Sequence, residues 1–217
     1  ITVSDDMKKN ISNLIKKKVF IIHNGSACGL NIEIKTLNQK SINKIKKKIK
    51  FSADDKIILF VGRPNKRKGF FDILEIWNSM FKKEKHCKLI MLGITKKDII
   101  QKMKIMPKNI FPMGLVSETD PFYEISDYLF MTSHHEGLSY TVLEAFQHRT
   151  IVISNKIDGV SELVKHNFNG FLVNKNNKYD YFNYSNYLQK DKKLKENFLD
   201  RSIKIAHKFD REKFLQS

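Results

Sequence analysis

From residue 50 onward, short apolar runs alternate with stretches of helical periodicity. Ile57 to Val61, Leu89 to Leu92, Ile110 to Met113, Tyr128 to Met131, Ile151 to Ile153 and Phe171 to Val173 read as strands. None alternates cleanly between apolar and polar residues, as expected of strands covered by helices on both faces. Between them the apolar positions recur at steps of three and four. The clearest case is Phe70 to Phe81, where Phe70, Ile73, Leu74, Trp77 and Phe81 form one stripe. Further helices are predicted at about Thr95 to Met103, Tyr140 to His148 and Gly159 to Lys165. A long Lys-rich helix is predicted from Asp191 to Phe209, with Leu194, Phe198, Leu199, Ile203 and Ala206 on or near one face. This alternation predicts an α/β fold, a Rossmann-like doubly wound parallel sheet. Such sheets bind ligands at the carboxyl ends of their strands.

The first fifty residues fall outside the alternation. Ser4 is placed to cap a helix reaching Ile15, followed by a strand at Val19 to Ile22 and a turn at Asn24-Gly25. Lysines at 16–18 and 46–48 sit among Ile11, Leu14 and Ile15, and among Ile42, Ile45 and Ile49. That spacing describes a solvated face opposite a buried stripe. The stretch at 174–178 reads as a polar loop, and no internal repeat or low-complexity linker is present. The chain thus divides into residues 1–50, the strand–helix repeat of 51–190, and the Lys-rich helix of 191–217.

A chain of 217 residues, 41% hydrophobic and 29% charged, is ordinary for a globular domain with a real core. No apolar run approaches the roughly 20 residues that cross a bilayer. The chain opens on Ile1 with no basic segment leading into an apolar core, so its start is read as internal to a longer protein. Cys28 and Cys87 lack metal-ligand spacing and make no disulfide framework, which fits a reducing cytoplasm. Charge is the unusual quantity: 40 Lys and Arg against 23 Asp and Glu, a net +17. Nucleic acid, an anionic membrane surface and phosphate-bearing substrates each account for it, as does simple solvation of helix faces.

Two segments carry candidate chemistry. Gly62-Arg63-Pro64-Asn65-Lys66-Arg67-Lys68-Gly69 follows a predicted strand and precedes a predicted helix. Its glycines allow a close backbone approach to a ligand, and its four cations beside a helix N-terminus suit a diphosphate. It is neither a Walker loop nor Gly-x-Gly-x-x-Gly. The second segment is His134-His135-Glu136-Gly137-Leu138-Ser139-Tyr140-Thr141-Val142-Leu143-Glu144-Ala145. Here Ser139 is placed to cap a helix whose free N–H groups can hold an anion. By themselves Glu136 and Glu144 also fit a bland helix start, one acid favoured by the dipole and one on the surface.

Together, Glu136-x7-Glu144, Gly62-Arg63-x4-Lys68-Gly69 upstream, Ser26 to Gly29 after Asn24-Gly25, and Asn169-Gly170-Phe171-Leu172-Val173 downstream form one pattern. It resembles the retaining GT-B glycosyltransferases of family four over nearly the whole chain. The resemblance implies the C-terminal, donor-binding half of a two-domain fold. Residues 1–50 would then end the acceptor-side domain and cross between domains, and 191–217 would pack back toward it. Arg63 and Lys68 would hold the donor diphosphate and offset charge on the leaving nucleotide, with no metal and no cofactor. Backbone at Gly62, Gly137, Leu138, Ser139 and Tyr140 would bind the donor, Glu144 the ribose hydroxyls, and Glu136 the transferred sugar. Val116 would line the base pocket. The expected donor is a nucleotide-diphosphate sugar, a UDP-sugar first. The acceptor is a glycan or lipid-linked molecule in surface-polysaccharide or lipopolysaccharide synthesis, at the cytoplasmic face of the membrane, with peripheral contact to anionic lipid.

The sequence departs from that pattern where Arg149 and Ile151 replace a Gly and a Pro, and where Asp158-Gly159 replaces Gly-Gly. Rival readings are a basic nucleic-acid-binding module, a GT-B sugar-nucleotide epimerase and an inactive sugar-nucleotide sensor. No recognition helix or RNA-binding signature supports the first, the Glu-x7-Glu motif argues against the second, and the intact Arg63, Lys68, Glu136 and Glu144 against the third. His134 and His135 read as rim residues, Trp77 as core, and Ser133 and Ser139 lack a hydrolase elbow.

Overall fold

A computed structural model of the chain describes residues 38–209, together with residues 8, 9, 11 and 12. Lys8, Lys9, Ile11 and Ser12 are helical, within the span of the helix expected to reach Ile15. The expectations for the cap at Ser4, the strand Val19 to Ile22, Asn24-Gly25, Ser26 to Gly29 and Cys28 lie outside the described residues.

Among the described residues one sheet holds six parallel strands: β1 (Lys56–Val61), β2 (Cys87–Leu92), β3 (Ile110–Gly114), β4 (Tyr128–Met131), β5 (Ile151–Asn155) and β6 (Gly170–Val173). All six strands read from the apolar runs are present. Their order is β3-β2-β1-β4-β5-β6, so the chain winds outward from β1 in one direction and from β4 in the other. Alternate residues of each strand enter separate cores. Ile58 and Phe60 join Leu89, Met91, Phe130 and Ile153 on one face, whereas Ile57 and Leu59 join Ile90, Leu129 and Val152 on the other. With both faces buried, neither parity of a strand can be polar.

The first face is covered by α2 (Phe70–Ile76) with its π-helical continuation Trp77–Phe81, by α3 (Lys96–Ile100), and by α7 (Asp180–Lys190) and the start of α8 (Lys192–Ala206). The second is covered by α1 (Gln39–Lys48), α4 (Asp120–Glu124), α5 (Tyr140–Gln147) and α6 (Val160–Leu163). Ile42, Ile45 and Ile49 are buried beneath the exposed Lys47 and Lys48, as the spacing predicts, and Asn38 caps α1 by accepting from the N–H of Lys40 and Ser41.

Several helices differ from expectation. The stripe from Phe70 to Phe81 is not one α-helix, because the backbone widens at Trp77 and Lys82 N–H reaches Trp77 O at 2.9 Å. The wider turn stacks the buried Trp77 and Phe81 rings 4.8 Å apart and lets the indole N–H donate to Asn109. The helix after Thr95 stops at Ile100, although a full Thr95/Asp98 capping box starts it. The one after Gly159 stops at Leu163, whose carbonyl accepts from the Asn169 amide instead of a further turn. The Lys-rich helix begins at Lys192 with Asp191 as its cap and ends in a 3-10 turn, His207–Phe209. Both α4 and α7 are elements that the periodicity did not predict.

The departures near β5 have local causes. Arg149 takes the left-handed conformation, φ 53°, that suits a glycine. Its guanidinium pairs with Glu196 at 2.6 Å and Asp200 at 2.9 Å on α8. Ile151 uses the N–H that a proline lacks to reach Asp127 O.

Candidate functional site

β1 and β4 are hydrogen-bonded neighbours from which the chain leaves toward opposite edges of the sheet. Beyond their carboxyl ends lies the crevice where such sheets receive ligands. Both candidate segments emerge there.

The loop 62–69 leaves β1 and is organised by Asn65. Its side-chain oxygen accepts from Lys68 N–H at 2.9 Å, and its carbonyl accepts from Phe70 N–H. Gly69 then starts α2 with φ 70°, and a Cβ there would lie 1.9 Å from Thr132 O. Its conformational freedom therefore serves close contact between two protein loops. Gly62 is crowded in turn by Lys68 Cβ at 3.2 Å and by the Phe60 ring. Arg63, Lys66 and Arg67 are exposed, while Lys68 is partly buried.

The loop 132–139 leaves β4. His134 N–H donates to Arg67 O, and Thr132 Oγ1 donates to Gly69 O, which binds this loop to the first. On its other flank Gly159, with φ 75°, allows the start of α6 to meet Gly137 O; a Cβ would lie 1.9 Å from it. The second glycine of the expected Gly-Gly pair is thus the one that packing requires, and Asp158 is tolerated. Beneath the loop the buried Asn155 amide donates to Thr132 O and Ser133 O. The Tyr181 hydroxyl shares its proton between Met131 O and Asn155 Oδ1. Asn155 and Tyr181 escaped the sequence reading; a lone Asn ending an apolar strand is the available signal.

Lys68 Nζ donates to Glu136 Oε1 at 2.7 Å, with side-chain exposures of only 19% and 10%. Two residues earlier, His134 Nε2 lies 2.8 Å from Asp72 Oδ2, and Lys178 Nζ holds both Asp72 and Glu75. Burial alone would raise the Asp72 carboxyl, but hydrogen bonds from Lys178 and His134 outweigh it and hold it below the usual carboxylate range. His135 is exposed. Among the described residues no three His, Cys, Asp or Glu side chains converge to hold a metal ion.

Ser139 stands at the cap position of α5, but its hydroxyl makes no cap bond and points instead to Met131 Sδ at 3.7 Å. The expected side-chain cap is absent because β4 offers the hydroxyl a buried partner. Leu138 is buried in the core, leaving only its backbone toward the crevice, and Tyr140 begins the helix half-buried. Among the described residues no backbone carbonyl accepts the N–H of Gly137, Leu138 or Ser139. One turn into α5, Glu144 Oε2 accepts from the Tyr123 hydroxyl at 2.8 Å. Burial raises the Glu144 carboxyl above its ordinary value, with Asp120 adding to the rise, against the Tyr123 bond and His148. Glu136 and Glu144 thus have separate partners.

Val116 lies past β3, where it lines a cavity of about 330 Å³ with Met113, Leu115, Phe122 and, from α1, Ile45 and Lys48. Asn169 is a buried structural residue that closes the turn into β6.

The family described as "Glycosyl transferases group 1" matches residues 41–205. An uncharacterized glycosyltransferase of Methanocaldococcus jannaschii is 26% identical over 183 residues, covering 80% of this chain and 46% of that protein. The capsular polysaccharide biosynthesis glycosyltransferase CapM of Staphylococcus aureus is 27% identical over 186 residues, covering 81% and 48%. This chain therefore spans about half the length of these relatives. Among solved structures, Anabaena Alr3699/HepE in complex with UDP-glucose superposes over 99% of this chain and 60% of its own with TM-score 0.83 at 18% identity. The C-terminal domain of the group 1 family protein LpcC from Francisella tularensis gives TM-score 0.65 at 20% identity, covering 83% of this chain and 97% of that domain.

Proposed function

This chain belongs to the group 1 glycosyl transferases, and we propose that it is the donor-binding half of a retaining enzyme that takes a sugar from a nucleotide diphosphate, UDP first. The observation carrying this reading is the Lys68–Glu136 pair at the β1/β4 crevice. A partly buried cation there matches a diphosphate, and its carboxylate partner can turn to sugar hydroxyls once phosphate replaces it. The HepE structures hold UDP and UDP-glucose, and CapM is named for capsule synthesis, which supports a nucleotide-sugar donor and a surface-glycan product.

Arg63 and Lys68 hold the diphosphate and neutralise the charge that grows on it as the glycosidic bond breaks. N–H groups of Gly137, Leu138 and Ser139 add fixed dipoles on the same phosphates. Glu136 orients the transferred sugar, Glu144 accepts from the ribose hydroxyls, and Val116 borders the base. The acceptor hydroxyl attacks from the side on which the diphosphate departs. The new glycosidic bond forms there, and the departing diphosphate takes the hydroxyl proton. The cations perform the role a metal has elsewhere. Residues 51–190 form the donor unit, with 1–50 crossing from the acceptor-side domain and 191–217 returning toward it. The acceptor is a glycan or lipid-linked molecule at the cytoplasmic face.

Calorimetric titration of the chain with UDP, GDP and their sugars tests the assignment. Binding should favour one nucleotide and weaken in Arg63→Ala and Glu144→Ala. Absence of binding, or affinities unmoved by both substitutions, rejects the site. The 217 residues alone should bind nucleotide without transferring sugar, and transfer by them would reject the division of labour.

A further inference from the structure

We infer that the segment 96–108, comprising α3 and its connection to β3, is a docking surface for an anionic lipid bilayer. It carries Lys96, Lys97, Lys102, Lys104 and Lys108, all exposed. Its one acid, Asp98, is engaged by the N–H and hydroxyl of Thr95 at 2.8 and 2.6 Å. Between the lysines, Ile105 is 83% exposed and Ile100 45%.

The backbone enforces that exposure. Ile99 is buried, and Met103 and Met106 pack on the core beneath α2, so Ile100 and Ile105 are held outward by anchored neighbours. An isolated exposed aliphatic is ordinary. Two on a fixed backbone among five lysines are the composition of a surface that seats apolar groups at the acyl boundary and cations at headgroups.

The patch continues onto α2. Phe71 is exposed, Lys102 Nζ lies 4.8 Å above its ring, and Leu74 and Met103 line the shallow cavity between. The nearest acid of α2, Glu75, is neutralised by Lys178 at 2.6 Å. Nucleic acid gains nothing from Ile105, and Phe71 is the one exposed ring of the patch, so no platform for successive bases is on offer. A protein partner, including the remainder of a longer chain, fits less well, because lysine is depleted at such interfaces. Since α2 starts directly after Lys68-Gly69, docking through this face holds the candidate donor loop beside the lipid surface.

The test is sedimentation of the 217-residue chain with vesicles of phosphatidylcholine, alone or mixed with phosphatidylglycerol. Binding should require phosphatidylglycerol and fall with salt. The charge reversals K102E, K104E and K108E, each a change of two unit charges, should each weaken it roughly thirtyfold, and Ile105→Ser about tenfold. The same reversals at Lys44, Lys47 and Lys48 on α1 should leave it unchanged, with circular dichroism confirming that each variant folds. Three results overturn the inference: indifference to phosphatidylglycerol, loss of binding in the α1 set alone, or an RNA oligonucleotide captured in preference to vesicles and unaffected by Ile105→Ser.

Discussion

Lys68 and Glu136 lie 2.7 Å apart and tie the loop after β1 to the loop after β4. The carboxylate accepts from one of the ammonium's three donors, so under the proposed function it competes with a diphosphate for the lysine. Glu136→Gln removes that competitor. It should destabilise the free protein by about 1–3 kcal/mol, because a largely buried ammonium loses its counter-charge. It should also tighten UDP binding while abolishing any preference for UDP-sugar over UDP. Lys68→Ala should weaken both. Thermal unfolding with and without UDP, combined with titration calorimetry, checks all three outcomes.

Glu144 carries the opposite balance between stability and binding. Its folded-state pKa is raised, chiefly by burial, so the folded state holds its proton more tightly than the unfolded chain does. Stability therefore falls as pH rises from the unfolded value through the folded one. Glu144→Gln should keep or increase stability at neutral pH and weaken nucleotide binding about tenfold, the loss of the ribose hydrogen bonds proposed above. Urea midpoints at pH 5 and pH 8 decide the first part; a variant less stable than the parent at pH 8 contradicts it.

For Asp72 the sign reverses. Lys178 and His134 hold its folded pKa below the unfolded value, so its contribution is present above the unfolded value and is lost as pH falls through the folded one. Asp72→Asn should cost about 1–2 kcal/mol at pH 7 and much less near pH 3. Parallel denaturation curves at the two pH values should converge in acid.

Gly69 and Gly114 share nearly the same φ, 70° and 69°, but a Cβ meets Thr132 O at 1.9 Å in the first and nothing within 4 Å in the second. Gly114→Ala should cost only the left-handed strain, about 1 kcal/mol. Gly69→Ala should exceed 3 kcal/mol, as overpacking adds to strain, and should lose UDP binding as the loops separate. Equal chemical stability of the two variants would exclude this account.

The sheet was legible because each strand is a run of apolar residues with no other use. The helices were legible where a stripe of Ile, Leu or Phe marks them. α7 was not, since its buried positions are Tyr181, Ser185 and Leu188 within a Tyr- and Asn-rich stretch of modest helix propensity. The π-helical turn depends on how Trp77 and Phe81 stack, which no spacing encodes. At the site, motif residues could be named in advance but their partners could not. Tyr123 for Glu144, Asp72 for His134 and Asn155 beneath the β4 loop all come from elements distant in sequence. The hydroxyl of Ser139 was misread because its partner, Met131, is reached across the strand–helix turn.

At the rim of the crevice the loops meet backbone to backbone: Gly69 at Thr132, Gly93 at Gly62 and Gly159 at Gly137. These seams fix the spacing of the loops through atoms that every amino acid shares, provided three positions stay glycine. The residues mounted between them are then free to drift. Side chains that would choose a particular sugar can therefore change on this frame without moving the loops that carry them.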